Sequence, residues 1–157
     1  MTIELWSLGK ENTKLVDKAI EEYSDRLNRY TGFNIVTIDN SKLPKTLPKI
    51  QLLDKEAELV LDKLLDRDLL VVLDEHGKYF TSKGFSEKLN QLMNLSPVRI
   101  IFLIGGSYGL SEKLKAKATL VLGLSTFTFP HQLVRLLFTE QLYRAFTILK
   151  NEKYHHE

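Results

Sequence analysis

Apolar and polar positions along this chain switch between two periods, and the switches mark out its elements. TIELWSL (2–8) alternates residue by residue and predicts a first strand. Leu15, Val16, Ala19, Ile20, Tyr23, Leu27 and Tyr30 then recur at helical spacing, with Gly32 as the expected stop. FNIVTI (33–38) is β-branched and reads as a second strand, and NSKLPKTLPK (40–49), with two prolines and no period, reads as a loop. Leu53, Ala57, Val60, Leu61 and Leu64 restore the helical spacing. DLLVVLD (68–74) is a short continuous apolar run, as expected of a strand buried on both faces. A helix follows from Ser82 through Phe85, Leu89, Leu92 and Met93, and then a second buried strand, RIIFLIGG (99–106). A short helix from Ser111, a last strand TLVLGL (119–124) and a long helix from about Pro130 to Lys150 close the chain.

Strands and helices alternate throughout, which predicts one α/β domain over 1–157 with a largely parallel sheet. Ligands of such sheets bind at the carboxyl ends of strands. Attention therefore falls on the turns after Leu73, after Ile104 and after Leu122.

Composition narrows the setting. The chain has no cysteine, so disulfides and thiolate metal sites are excluded. No signal peptide is visible and no run of 18 apolar residues occurs, so a cytoplasmic protein without a membrane span is expected. The net charge of +2 hides an asymmetry: residues 1–75 hold 11 Lys and Arg against 15 Asp and Glu, and residues 76–157 hold 11 against 5. The basic half could attract a polyanion, although such lysines also serve simply as a solvated face.

Each strand-end turn offers different chemistry. LDEHGK (73–78) places Asp74, Glu75 and His76 side by side, where solvated turn residues are the simpler reading. His76 has no metal-binding spacing to the histidines at 131, 155 and 156, so no metal is expected. IGGSYGL (104–110) permits close approach of bare backbone to a ligand, but it is neither a dinucleotide fingerprint nor a P-loop. GLSTFTFPHQLVR (123–135) joins hydroxyl side chains, two phenylalanines and a proline suited to a first helical turn. His131 and Arg135 are four apart and share one face near the positive end of that helix. They fit an anion or a polarised base, and equally a capped helix with a solvated pair.

The closing helix is apolar nearly all round, so one side could pack on the sheet and the other on a second subunit. Arg135 and Arg144 are nine residues apart and fall on opposite faces, where they could hardly line one pocket of one chain. A dimer would resolve this. The tail NEKYHHE (151–157) is either a disordered end or an aromatic and imidazole group able to stack on a base.

LDxxGK at 73–78, FLIGGSYGL at 102–110, LSTFTFPHQLVR at 124–135, EQLYRAF at 140–146 and the terminal YHHE, in this order and spacing, resemble the ribosomal RNA large subunit methyltransferase H family of the SPOUT superfamily. The resemblance covers nearly the whole chain. It implies a parallel-sheet α/β knot with a C-terminal trefoil, one of the rare exceptions to unknotted folds. It implies a homodimer that uses S-adenosyl-L-methionine to methylate N3 of pseudouridine 1915, in helix 69 of 23S rRNA, within the assembled 70S ribosome. By the same analogy, cofactor contacts fall at Leu73, Gly105, Leu124, Ser125, Thr126, Phe127, Thr128 and Phe129. His131 and Arg135 are expected beside the cofactor, with Arg144, Tyr154 and His155 positioning RNA across the dimer. Three other readings compete: a catalytically silent RNA- or ribosome-binding module of the same fold, a SPOUT methyltransferase acting on tRNA, and a nucleotide-binding protein using IGGSYGL for phosphate.

Overall fold

The computed structural model describes residues 1–9 and 13–156. Its elements run β1 (Thr2–Leu8), α1 (Lys14–Leu27), β2 (Gly32–Ile38), α2 (Lys49–Leu61), β3 (Leu69–Tyr79), α3 (Ser82–Asn94), β4 (Arg99–Ile104), α4 (Glu112–Lys117), β5 (Leu120–Gly123) and α5 (His131–Leu149). The strands form a sheet of order β2-β1-β4-β3-β5, and every pairing is parallel. All five carboxyl ends therefore open on one edge.

The alternation within each strand explains how the sheet is covered. Ile3, Leu5, Val71, Leu73, Ile100, Phe102 and Ile104 point to one face, where α1, α3 and α5 supply Leu27, Phe85, Leu89, Phe138 and Leu142. Trp6, Leu8, Leu70, Val72, Ile101 and Leu103 point to the other, beneath Ala57 and Val60 of α2 and Leu114 of α4. The apolar runs of β3 and β4 lack a polar face because both of their faces are covered. Phe102 and Phe138 meet at the centre of the larger core with ring centroids 4.6 Å apart. Thr81 and Ser111 cap α3 and α4, their hydroxyls accepting from the amides of Gly84 and Leu114.

Two sequence expectations change. Helix α1 ends at Leu27 with Asn28 as its cap, so Tyr30 lies outside the helix and Gly32 opens β2 instead of stopping α1. Asn28 ends the helix by turning its amide back on the chain: Nδ2 donates to the Ser24 carbonyl, and Oδ1 accepts from the Phe33 amide. Residues 73–78 are not a plain strand-end turn. Strand β3 continues to Tyr79, with its register on β5 shifting between Leu73 and Lys78, so Asp74 to Gly77 bulge from a strand that resumes. On α5, whose sequence left one side for a surface other than the sheet, Leu133 and Leu137 are exposed within the chain.

Candidate functional site

The bulge of β3, the loop after β4 and the loop after β5 converge on one cavity of about 270 Å³. Leu73, Gly105, Leu124, Ser125, Phe127, Thr128 and Phe129 all line it, together with Asp74, Glu75 and His131. Thr126 is the one residue of 124–129 that does not. The loop after β4 is tight: a Cβ at Gly105 would stand 2.6 Å from the Gly109 carbonyl oxygen and 2.9 Å from Leu110 Cγ. Only glycine fits, and bare backbone is presented to the cavity. The Gly109 amide closes the turn on the Gly106 carbonyl at 3.0 Å.

Asp74 is more structured than its place in the sequence suggested. It accepts from the His76 amide at 2.9 Å and pairs with Lys115 Nζ of α4 at 3.0 Å. Partial burial opposes its ionisation, but the His76 amide and the Lys115 ammonium outweigh it and hold the carboxyl below the usual carboxylate range. Hydrogen bonding to Asp74 in turn raises Lys115, against its own desolvation. The cavity rim thus carries a fixed negative charge.

A second cavity, about 410 Å³, adjoins the first and shares Gly105, Gly106, Ser107 and His131 with it. The ends of β1 and β2 contribute Ser7, Gly9 and Asn40, α2 contributes Glu56, and α5 contributes Gln132 and Arg135. His131 stands at the boundary of both spaces on the first turn of α5, directly after Pro130. Arg135 is buried, and its Nη2 donates to Asp17 Oδ1 at 2.8 Å, tying α5 to α1. Gln132 is held to the same neighbour by Thr13, whose hydroxyl donates to it.

Arg144, Tyr154 and His155 form a separate cluster. The Arg144 Nε and Nη2 both donate to Glu140 Oε1, at 3.0 and 2.6 Å. Tyr154 donates to the same oxygen at 3.1 Å, and Arg144 Nη1 lies 3.3 Å from His155 Nδ1. Burial, then Tyr23 and Glu140, push the Tyr154 phenol well above the ordinary tyrosine range. Tyr154 is therefore a hydrogen-bond donor at neutral pH. The tail is folded onto α5, and only Glu157 of the YHHE motif lies outside the described residues. Thirteen residues of helix separate His131 from Arg144, about 20 Å at 1.5 Å per residue. Within one chain, the structure brings His131 and Arg135 to the cavities and leaves Arg144, Tyr154 and His155 far from them.

Sequence reasoning missed Ser7, Asn40 and Glu56. The strand-end rule contained the signal for the first two, since Ser7 stands at the carboxyl end of β1, beside β4, and Asn40 follows β2, one strand further out. Glu56 was hidden because a single acid in an amphipathic helix looks the same whether it faces water or a cavity.

Among the described residues, no cluster of acids and histidines could hold a metal, and no helix is long and apolar enough to cross a membrane.

A parallel sheet with ligand-sized cavities at its strand ends, built round a glycine loop and a helix start, has known counterparts. Residues 1–155 match the family model described as "Predicted SPOUT methyltransferase", and the chain belongs to that family. A probable methylase family protein from Haemophilus influenzae shares the fold, with a TM-score of 0.53 at 13% identity over 99% of this chain and 70% of its own. More similar is ribosomal RNA large subunit methyltransferase H of Christiangramia forsetii, 49% identical over 99% of both chains. The proteins of that name from Flavobacterium johnsoniae, 47% identical over the full length of both, and from Natranaerobius thermophilus, 41% identical over 99% of this chain and 100% of its own, are also similar. Within the SPOUT methyltransferases, the chain is a member of the large subunit methyltransferase H family.

Proposed function

We propose that this protein is an rRNA methyltransferase that uses S-adenosyl-L-methionine to methylate N3 of the pseudouridine in helix 69 of 23S rRNA, on the assembled ribosome. The observation that carries the reading is the convergence of three sequence-distant loops on the cavity bounded by Leu73, Gly105 and Leu124 to Phe129. The residues present suit the cofactor. Leu73, Ile104, Leu124, Phe129 and Val134 give apolar walls for a flat base, the 105–106 backbone is bare, and Asp74 and Glu75 supply anions for hydroxyl or cationic groups. When bound, the cofactor would supply an activated methyl group on a sulfonium.

The chain's own residues have three tasks. The strand-end loops hold the donor in line with an incoming nitrogen, the largest part of what such a transfer needs. His131 and Arg135, at the start of α5, line the neighbouring cavity, where a base that must lose the N3 proton would sit. Arg144, Tyr154 and His155 engage RNA. Their distance from His131 supports a homodimer in which one subunit's tail serves its partner's cavity, and the exposed Leu133 and Leu137 give α5 apolar surface for that contact. The trefoil knot and a cytoplasmic location belong to the same reading.

The test is transfer of a labelled methyl group to ribosomes lacking the modification, with free 23S rRNA and tRNA in parallel. Label in helix 69 of assembled ribosomes alone is the expected result. Label on tRNA alone, or cofactor binding without transfer to any RNA, would overturn the proposal.

A further inference from the structure

Glu56 is a buried carboxylate for which the chemistry above has no use. Helix α2 carries it to 5% exposure in the wall of the larger cavity. Its Oε1 accepts from Asn40 Nδ2 at 2.8 Å, and its Oε2 has no partner among the described residues. A Cβ at Gly106 would stand 3.2 Å from Oε1 and 3.5 Å from Oε2, so the missing side chain at 106 leaves room for the carboxylate against the loop that both cavities share. The wall of the same cavity also includes Ser7 of β1, 6% exposed, whose Oγ is buried without a hydrogen-bond partner among the described residues. The carboxylate presents an oxygen without a donor to the cavity, and a buried hydroxyl with no partner among the described residues is a costly arrangement. A ligand that brings an N–H to the first and a carbonyl oxygen to the second relieves both.

We propose that the larger cavity receives the target nucleobase, and that Glu56 accepts the N1–H that distinguishes a pseudouridine from a uridine, while Ser7 donates to a ring carbonyl. This rests on the rRNA reading above. In a uridine, N1 carries the ribose. In a pseudouridine the ribose is on C5, and N1 keeps a hydrogen on an edge otherwise free. N3 has to face the smaller cavity, where the methyl donor would lie, and Glu56 lines only the larger one. The carboxylate therefore meets the ring on the N1 side. A uridine presented in the same pose offers a C–H there and leaves the carboxylate unpaired, which is how a hydrogen-bonding site rejects an isostere.

The test uses the full-length protein as wild type, Glu56→Gln and Ser7→Ala. Methyl transfer is measured on ribosomes with pseudouridine and on ribosomes with uridine at the target position, and cofactor affinity is measured by calorimetry. For Glu56→Gln, kcat/KM on pseudouridine should fall about 10- to 100-fold, the size of a hydrogen bond to a charged group. Its transfer to uridine should not fall, because the unpaired charge that penalised uridine is gone, and its cofactor affinity should stay as in wild type, so that the preference collapses. Ser7→Ala removes a hydroxyl that has no partner among the described residues and is expected to keep the fold. It should lose about 10-fold in transfer with cofactor affinity intact. Equal losses on pseudouridine and uridine, or loss of cofactor affinity in a variant that still melts cooperatively, would overturn the assignment. If Glu56→Gln does not fold, unchanged transfer by Ser7→Ala overturns the base pocket. A wild-type protein inert on both ribosomes would sink the rRNA reading itself, and Glu56's part with it.

Discussion

The guanidinium carbon of Arg144 stands 4.7 Å from the centroid of the Tyr154 ring, and the same guanidinium donates twice to Glu140. One residue of α5 thus holds the C-terminal tail by a cation–π contact, while an ion pair within the helix fixes its guanidinium. Removing it should release the tail while leaving the strand-end cavities untouched. Arg144→Ala is expected to lose methyl transfer by at least about 10-fold, with cofactor affinity nearly unchanged and faster hydrogen exchange at Tyr154 and His155. Lost cofactor affinity would instead place Arg144 in the cofactor site.

Tyr30 stacks on Phe146 and donates to Glu152 at 2.6 Å, a second anchor for the same tail. Burial, then Glu152, raises its phenol to about 12. A raised value means that this contribution is complete below the ordinary tyrosine value of about 10 and is lost as pH rises through the folded one. Spectroscopic titration should show a late-ionising phenol that Tyr30→Phe removes, and the variant's tail should exchange faster at neutral pH.

Asp74 and Lys115 couple the rim of the smaller cavity to α4. Asp74 is depressed, so its share of stability is present above about pH 3.9 and is lost as pH falls through its folded value. Lys115 is raised, so its share is complete below about pH 10.4 and fades as pH rises through its folded value. Lys115→Met should cost about 1 kcal/mol in the window between these limits. Denaturant melts at several pH values should find the gap to wild type closing at the acidic end, and a gap independent of pH would show that packing, not charge, is lost.

The two glycines after β4 should respond unequally to alanine. At Gly105 the new Cβ meets backbone at 2.6 Å, and the loop has to move. Gly105→Ala is expected to cost about 1–3 kcal/mol and most of the cofactor affinity. At Gly106 the nearest atom is a carboxylate oxygen at 3.2 Å, the end of a side chain. Gly106→Ala should melt close to wild type and impair transfer more than cofactor binding. Thermal melts with calorimetry separate the two patterns.

Phe138 is fully buried between Phe102 and Phe85, at the point where α5 crosses the sheet. Phe138→Ala should destabilise the protein by about 3–5 kcal/mol in urea unfolding, and by lifting α5 it should lower cofactor affinity as well.

Local pattern was enough for the elements and their class. Period-two and period-3.6 runs, together with the unbroken apolar stretches of β3 and β4, determine an α/β sheet covered on both faces, because only a strand with two dry faces can afford no polar side. The same pattern pointed to three strand-end loops, since a parallel sheet presents all its carboxyl ends on one edge. It misplaced Gly32 and Tyr30 because the Asn28 side chain, turned back on its own backbone, ends α1 before the apolar spacing does. It missed the bulge at Asp74 to Gly77 because a register shift is defined by the partner strand β5, far along the chain. Which loops share a cavity, whether Glu56 faces water or Gly106, and how far Arg144 lies from His131 are long-range distances. The strand order β2-β1-β4-β3-β5 decides them, and no spacing along the chain encodes that order. The sequence by itself determined the kinds of element and the chemistry available at their ends; the tertiary structure alone decided which of those groups meet, because packing across the sheet brings together residues that the chain holds apart.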